Sequence, residues 1–146
     1  QAVKPMQEDT GIMCVNLTKK IATEQEYRDP NCIKVILANN GDALYFSRQP
    51  IPHAGLNGFD NISAFKQVCI IPFTRQSLKL YQELEPTPTE IAESVDMMRF
   101  LEHGIPVRMI ETEGDSHAVD TPQDLILVEN LLRKDPFVTE TIAFKL

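Results

Sequence analysis

The sequence predicts an α/β fold, in which one sheet is flanked by helices. Apolar, β-branched segments alternate along the chain with segments of helical character. Two helical segments open with the same Thr-Pro-x-acid pattern, at Thr87 and Thr121. In this pattern threonine caps the helix and proline occupies the first helical position. The side chain of the acid accepts a hydrogen bond from the backbone N–H of the threonine. A chain of 146 residues buries roughly 70% of its unfolded surface, which suffices for one core.

The predicted strands are short apolar segments bounded by turn signals. Asn39–Asp42 has the residues of a hairpin turn and joins two of these strands. Pro72 ends the hydrogen bonding of a third strand, and 49–61 is a loop because it contains two prolines and two glycines. The predicted strands cover residues 12–18, 32–38, 43–47, 65–73 and 107–110.

The predicted helices begin at capping residues. Thr23 and Glu26 form a capping box, Thr74 to Leu84 reads as a second helix, and Thr121 opens the last one. The helix after Thr87 ends at Gly104. Its apolar stripe consists of Ile91, Val95, Met98 and Leu101, and that of the last helix of Leu125, Val128 and Leu132. The acids Glu90, Glu93 and Asp96 lie along one side and are interpreted as a solvated face.

Composition excludes several classes of function. The formal net charge is −7 and the isoelectric point is near 4.9, which argues against nucleic-acid partners and anionic membranes. No apolar segment approaches the ~20 residues of a membrane span, and the first residues lack the apolar segment of a signal peptide. Three widely spaced cysteines predict buried thiols in a reducing compartment, and the lack of a CxxC pair argues against a zinc site.

One carboxylate, Asp120, lies where ligands gather in α/β folds. It ends an acidic loop that follows a predicted strand, and it directly precedes a helix cap. Its oxygens suit a hard cation such as Mg²⁺; ordinary helix-entry capping is the alternative. The glycine-rich loops that hold nucleotide phosphates are absent from the sequence.

Several segments resemble one family, CMP-Kdo synthetase, the 3-deoxy-manno-octulosonate (Kdo) cytidylyltransferases. Residues 43–52 (ALYFSRQPIP) resemble the family's ALYFSR-x-PIP segment, and residues 29–35 resemble its DPNxVKV stretch. Residues 119–125 (VDTPQDL) are similar to VDTPEDL, and residues 98–104 to a helix end LRxLExG. Order and spacing agree from about residue 13 to 132, so several segments in register support the resemblance.

The resemblance implies the C-terminal part of a Rossmann-like nucleotide-sugar transferase fold, with a mixed sheet flanked by helices, so that 1–146 is one α/β domain or the C-terminal half of a longer one. It implies a cytoplasmic, Mg²⁺-dependent transferase of surface-polysaccharide synthesis, either lipopolysaccharide or capsule. A sugar acid would attack CTP and release pyrophosphate, with Asp120 as a catalytic metal ligand. The family's phosphate loop and second metal aspartate belong to an N-terminal half that these residues do not match. We therefore expect no CTP turnover by this chain alone.

The resemblance also assigns substrate-binding residues, some of which depart from the family's pattern. They are Arg48, Gln67, Phe73, Asp96 and Met97. Gln67 stands where the family has His, Ile71 and Phe73 where it has Tyr, and Met97 where it has Gln, whereas Asp96 keeps a carboxylate. A site that loses hydrogen-bonding groups changes its selectivity, which implies a sugar acid other than Kdo or a relaxed pocket.

Two further alternatives concern the assembly. By resemblance, Phe46, Pro50 and Pro52 lie at a homodimer interface; alternatively, Tyr45 and Phe46 pack on opposite sides of the subunit's own sheet. The missing phosphate loop and altered pocket also allow a non-catalytic homodimeric α/β module, a remnant of such an enzyme.

Overall fold

A five-stranded sheet organises residues 1–113. The computed structural model describes residues 1–114, 117, 119 and 121–138, and the chain divides into two compact units, residues 1–113 and 114–146. The strands are β1 (Val15–Lys20), β2 (Lys34–Leu37), β3 (Ala43–Ser47), β4 (Phe65–Val68) and β5 (Arg108–Glu111). Their order is β3-β2-β4-β1-β5. The pair β1–β5 is parallel and the other pairs are antiparallel, so the sheet is mixed, as predicted.

The helices of this unit are short. They are α1 (Lys4–Glu8), α2 (Glu24–Arg28), α3 (Arg75–Glu83), α4 (Pro88–Glu93) and α5 (Met97–Glu102), with a 3-10 turn at Phe59–Asn61. The Thr23 side chain accepts from the Glu26 N–H, which confirms the predicted cap of α2, whereas the Glu26 carboxylate accepts from the Ala22 N–H instead of closing the box on Thr23. Thr74 caps α3 in the same way by accepting from the Ser77 N–H. The predicted hairpin is β2–β3, and Gly41 in its turn has a φ of 85° that favours glycine.

The strand predicted over 65–73 is interrupted. β4 ends at Val68, because the Ile70 N–H turns back onto the Val68 carbonyl at 2.7 Å. Beyond that turn, Cys14 and Phe73 still form an isolated bridge. The loop predicted over 49–61 is confirmed apart from the 3-10 turn.

The single helix predicted from Thr87 to Gly104 is wrong, because Ser94 divides it into α4 and α5. Ser94 has a φ of 53°, a left-handed conformation that ends α4. The break turns Val95 into the core, whereas Ile91 is 71% exposed. The two residues therefore do not share the apolar stripe that helical spacing predicts.

The main core lies between the sheet and α5. Its buried members are Cys14, Val35, Ala43, Phe46, Val95, Met97, Met98, Phe100, Val107 and Met109. A smaller cluster of Ile21, Tyr27 and Ala64 holds α2 near the start of β4. At about 25 cal/mol for each Å² of buried apolar surface, such clusters are the main source of folding energy.

The cysteines differ in burial, and all three are free thiols. Burial raises the pKa of Cys14 to about 12 and, as the main cause, that of the half-buried Cys32 to about 11. Cys69 is exposed in the turn after β4, so the prediction of three buried thiols is wrong at this position.

The described part of the second unit contains α6 (Pro122–Leu132). Its predicted capping box is confirmed: Thr121 N–H donates to the Asp124 carboxylate at 2.8 Å, and Asp124 N–H donates to the Thr121 hydroxyl at 3.2 Å. None of its described side chains is buried, including Leu125 and Leu132 of the predicted stripe. No helix in the described ranges combines the length and apolarity needed to cross a bilayer.

Candidate functional site

Gln67, a predicted substrate-binding residue, lies on β4 and contacts a buried asparagine of the neighbouring strand. Its Nε2 donates to Asn16 Oδ1 at 2.5 Å. Asn16 is fully buried on β1, and its Nδ2 donates to the carbonyls of Val68 at 2.7 Å and Leu17 at 2.9 Å. Asn16 belongs to none of the sequence motifs; its signal is a polar residue within an otherwise apolar strand segment.

Gln67 begins a row of polar residues across one face of the sheet. Gln67 lies opposite Thr18 on β1, and Thr18 lies opposite Glu111 on β5. Residues opposite each other on paired strands share a face. The Thr18 hydroxyl donates to the Lys66 carbonyl at 2.8 Å, and Glu111 is exposed at the sheet edge. We call Gln67, Thr18 and Glu111 the polar row.

The other face of the sheet carries a row of lysines at the adjacent register. Lys34, Lys66 and Lys19 lie opposite one another on β2, β4 and β1. Lys34 is fully buried, and its Nζ donates to the carbonyls of Asp29 at 2.7 Å, Cys32 at 2.5 Å and Arg48 at 2.7 Å. Burial is the largest influence on its pKa, which is lowered.

The other two lysines also have partners. Lys66 forms an ion pair with Glu26, and Lys19 Nζ donates to the Glu113 carbonyl at 3.3 Å. These contacts provide each ammonium group with acceptors, which offsets the repulsion between like charges on neighbouring strands.

Two predicted binding residues belong to the core. Met97 is 2% exposed, and its sulfur accepts the Cys14 S–H at 4.0 Å. Phe73 packs edge-on against Phe100 and at a tilt against Tyr81, with ring centroids 6.0 and 6.2 Å apart. Met97 thus has almost no exposed surface in this chain, and its assignment to a sugar acid stays a prediction. The methionine suits the core where a polar glutamine would need a partner.

Arg48 is also predicted to bind substrate, and its guanidinium donates to backbone carbonyls. It donates to Glu93 O at 2.7 Å, Pro30 O at 3.0 Å and Ser94 O at 3.0 Å. Two of its five N–H groups thus join the end of β3 to the α4–α5 break, and a third joins it to the residues before β2. In this structure Arg48 is foremost a positioning residue for the backbone around it.

Glu93 completes that junction from the helix side. Its carboxylate accepts from the Arg48 N–H at 2.9 Å, the Ser47 hydroxyl at 2.8 Å and the Tyr45 hydroxyl at 3.2 Å. Burial, the largest influence, would raise the Glu93 pKa, but these hydrogen bonds outweigh it, and the pKa is lowered.

The predicted solvated acidic face is wrong at Glu90, which is buried and paired with Arg99 at 2.6 Å and 2.7 Å. Asp96, by contrast, is exposed immediately before α5. Only its backbone carbonyl accepts a side-chain bond among the contacts described, from the Tyr81 hydroxyl at 3.5 Å. The Asp96 carboxylate is therefore accessible to a ligand.

The residues predicted at a dimer interface have different environments. Phe46 is fully buried in the subunit's own core, so a second subunit would meet other side chains of β3. Leu44, 60% exposed, and Tyr45, 37% exposed, are the accessible ones. Pro50 and Pro52 are half-buried, and the Pro52 carbonyl accepts from the Tyr27 hydroxyl at 2.6 Å.

The predicted metal ligand, Asp120, lies outside the described residues. Within the described ranges, acidic residues, histidines and cysteines form no cluster of three or more that could hold a metal ion.

A small cleft of about 180 Å³ lies away from the predicted residues. Asp42 and Arg108, an ion pair at 2.6 Å, line it together with Asp9 and Cys14. Ligand sites usually measure roughly 300–1,000 Å³, and none of the predicted substrate-binding residues lines this cleft.

Comparisons with known proteins match most of the chain. The cytidylyltransferase family model matches residues 1–112. The 3-deoxy-manno-octulosonate cytidylyltransferase of Syntrophotalea carbinolica is 37% identical over 139 residues, covering 90% of this chain and 56% of the relative. That of Solibacter usitatus is 38% identical over 132 residues, covering 90% and 52%.

A solved structure shares the fold. CMP:2-keto-3-deoxy-manno-octonic acid synthetase complexed with CTP superposes with a TM-score of 0.83 at 31% identity, over 91% of this chain and 54% of that one. This likeness confirms the predicted nucleotide-sugar transferase fold. The chain spans about half the length of the curated relatives it matches. Because the family model covers most of the chain and the fold agrees, the chain belongs to the cytidylyltransferase family.

Proposed function

We propose that this chain forms part of a CTP-dependent cytidylyltransferase that activates a 3-deoxy sugar acid, Kdo or a related one. The observation that supports it most is the fold shared with the CTP-complexed synthetase over 91% of the chain. In the proposed reaction the anomeric hydroxyl attacks the α-phosphate of CTP. A new O–P bond forms, the bond to pyrophosphate breaks, and the hydroxyl proton is lost.

The proposed reaction depends chiefly on position and charge. Transfer at phosphorus is accelerated by holding the reactants in line and neutralising developing charge. Mg²⁺ would supply that neutralisation when bound, with Asp120 as one ligand. The polar row and Asp96 are the described groups that we assign to the sugar acid. The part of the relatives that this chain does not span would hold the CTP phosphates.

We also propose that the protein acts in the cytoplasm as a homodimer. Free thiols suit a reducing compartment, and CTP is available there. The exposed side chains of β3 support a subunit interface on that edge of the sheet.

A pyrophosphate-release assay tests the proposal. Two preparations are compared with CTP, Mg²⁺ and Kdo: the 146-residue chain, and the same chain joined to the part of the S. carbinolica enzyme that it does not match. We expect turnover in the joined protein and none in the chain alone. Absence of product from both preparations, with Kdo and with a panel of other sugar acids, contradicts the proposed function.

A substitution tests the metal assignment within the active preparation. Asp120→Ala should abolish pyrophosphate release, whereas the exposed Asp60→Ala on the 3-10 turn should leave it unchanged. Activity retained by Asp120→Ala contradicts the assignment of Asp120 to Mg²⁺.

The second candidate function is a non-catalytic homodimeric module. The core position of Met97, where the family resemblance implies a polar glutamine, favours it. Calorimetry with CTP and Mg²⁺ separates the two candidates, because micromolar binding by the chain alone contradicts a remnant without a nucleotide site.

A further inference from the structure

The amide of Asn16 can take only one orientation. Its Nδ2 donates to two backbone carbonyls, those of Val68 at 2.7 Å and Leu17 at 2.9 Å. The reversed amide would place its oxygen against both carbonyl oxygens in a fully buried site, where unmatched polar atoms are costly. Asn16 Oδ1 is therefore fixed as an acceptor that faces Gln67.

The orientation of the Asn16 amide in turn determines the orientation of the Gln67 amide. Since Asn16 presents an acceptor, Gln67 must turn its Nε2 donor toward it, and the two atoms lie 2.5 Å apart. The Gln67 side-chain oxygen then points elsewhere. It takes no hydrogen bond from any residue in the described ranges, and it is not sealed from solvent. An amide oxygen accepts hydrogen bonds and cannot donate them.

The neighbours of Gln67 on the polar row add no free donor. The Thr18 hydroxyl already donates to the Lys66 carbonyl at 2.8 Å. Glu111, next in the row, presents a carboxylate that accepts. Lys20, on the same face, lies one row further on, opposite Phe65. A ligand group that contacts the Gln67 side-chain oxygen itself thus meets an acceptor, which a hydroxyl satisfies and a carboxylate does not.

We propose that Asn16 is a positioning residue that fixes Gln67 to accept a hydrogen bond from a hydroxyl group of the sugar acid. This inference rests on the proposed function, because the ligand is the acceptor substrate of that reaction. It names what Gln67 selects: a hydroxyl-bearing part of the sugar rather than its carboxylate.

Substrate analogues test the recognition role in the active preparation. Kdo is compared with analogues in which one hydroxyl is replaced by fluorine, which cannot donate. One analogue should lose about tenfold in kcat/KM with the unaltered protein, since the Gln67 oxygen is left unpaired. Gln67→Ala should accept that analogue and Kdo about equally. The control, Gln76→Ala on the exposed side of α3, should discriminate as the unaltered protein does.

A spectroscopic measurement tests the positioning role on the 146-residue chain. The Gln67 side-chain amide protons should show slowed exchange in NMR spectra, and Asn16→Ala should abolish this protection while Gln76→Ala keeps it. In the active preparation, Asn16→Ala should also lose the discrimination between hydroxyl and fluorine. If Asn16→Ala does not fold, Gln67→Ala still tests the recognition role, and the exchange measurement on the unaltered chain still tests the positioning role.

The outcomes separate this inference from the function on which it rests. Turnover with equal discrimination by the unaltered protein and Gln67→Ala overturns the recognition role alone. Rapid exchange of the Gln67 amide in the unaltered chain overturns the positioning role alone. Lack of turnover with every sugar acid contradicts the proposed function and, with it, the ligand assigned to Gln67.

Discussion

Single buried polar residues decide much of the local structure, and Lys34 is the most extreme case. A fully buried lysine is rare unless it has partners, and Lys34 donates to three carbonyls, two in the turn before β2 and one after β3. It therefore ties the residues before β2 to the end of β3. The lysine in the sequence CIKVILA gave no such indication, because alternation alone would place it on a solvated face.

Removing the Lys34 ammonium should destabilise the protein. In Lys34→Met the Asp29 and Arg48 carbonyls lose their donor, and the free energy of unfolding should fall by about 2 kcal/mol. Urea denaturation followed by circular dichroism measures this change. The exposed Lys20→Met at the end of β1 is the control and should change stability by less than about 0.5 kcal/mol. Equal effects of the two substitutions contradict the role of Lys34.

At the scale of elements, the break between α4 and α5 sets the register of the helix that packs on the sheet. Ser94 occupies a left-handed conformation with a φ of 53°, which costs most residues with a Cβ roughly 1–2 kcal/mol. The break directs Met97, Met98 and Phe100 into the core. The Ser94 carbonyl accepts a hydrogen bond from Arg48, so the end of β3 fixes where the break occurs.

Glycine should relieve the strain at this break. Ser94→Gly is expected to raise the free energy of unfolding by about 0.5–1 kcal/mol, and Ser94→Val to lower it, because a β-branched residue resists positive φ. Denaturant melts of the two variants measure both changes. Ser63→Gly, at an exposed position without positive φ, is the control and should not stabilise. A loss of stability in Ser94→Gly contradicts this account.

The ion pair between Glu90 and Arg99 joins α4 to α5. Both guanidinium contacts are short, 2.6 and 2.7 Å, and the Arg99 guanidinium also lies 4.3 Å from the centre of the Tyr81 ring. The hydrogen bonds from Arg99 are the main cause that holds the Glu90 pKa below its ordinary value of 4.5.

Acid should weaken this junction. Because the folded-state pKa of Glu90 is lowered, its contribution is fully present above the unfolded pKa near 4.5 and is lost as pH falls through the folded value. Glu90→Gln should therefore show a shallower decline of unfolding free energy below about pH 4.5. Urea melts across this range measure the slope, with the exposed Glu83→Gln on α3 as control. A slope unchanged by Glu90→Gln contradicts the assignment.

For the whole molecule, the edge strand β3 is the surface on which we expect a second subunit. It is an outer strand of the sheet, and two of its side chains, Leu44 and Tyr45, are exposed. Its exposed Leu44 adds apolar area. Phe46 is buried inside the subunit. It would support this interface by holding β3 against α5, not by contacting the second subunit.

A charge on this strand should prevent dimerisation. Leu44→Glu would place a carboxylate in the interface, so we expect a monomer where the unaltered chain sediments as a dimer. Analytical ultracentrifugation measures the change. Leu78→Glu introduces the same charge at an exposed leucine of α3 and should leave the dimer intact. A monomeric unaltered chain, or a dimeric Leu44→Glu variant, contradicts the proposed interface.

The sequence by itself determined the elements whose causes are local. The hairpin at Asn39–Asp42, the cap at Thr23 and the capping box at Thr121 formed as predicted, because turn and capping residues act on neighbours a few positions away. The family resemblance and the mixed α/β sheet likewise came from contiguous segments.

Only the tertiary structure decided which polar residues meet. The helix break at Ser94, the burial of Glu90 and Met97, and the contact between Asn16 and Gln67 depend on residues distant in sequence, such as Arg48 and Arg99. Periodicity places Glu90 on a helix but carries no information about a guanidinium nine positions away on another helix. Whether a polar group can be buried depends on the partners that packing brings to it, so the sequence predicts candidate site residues but not their hydrogen bonds.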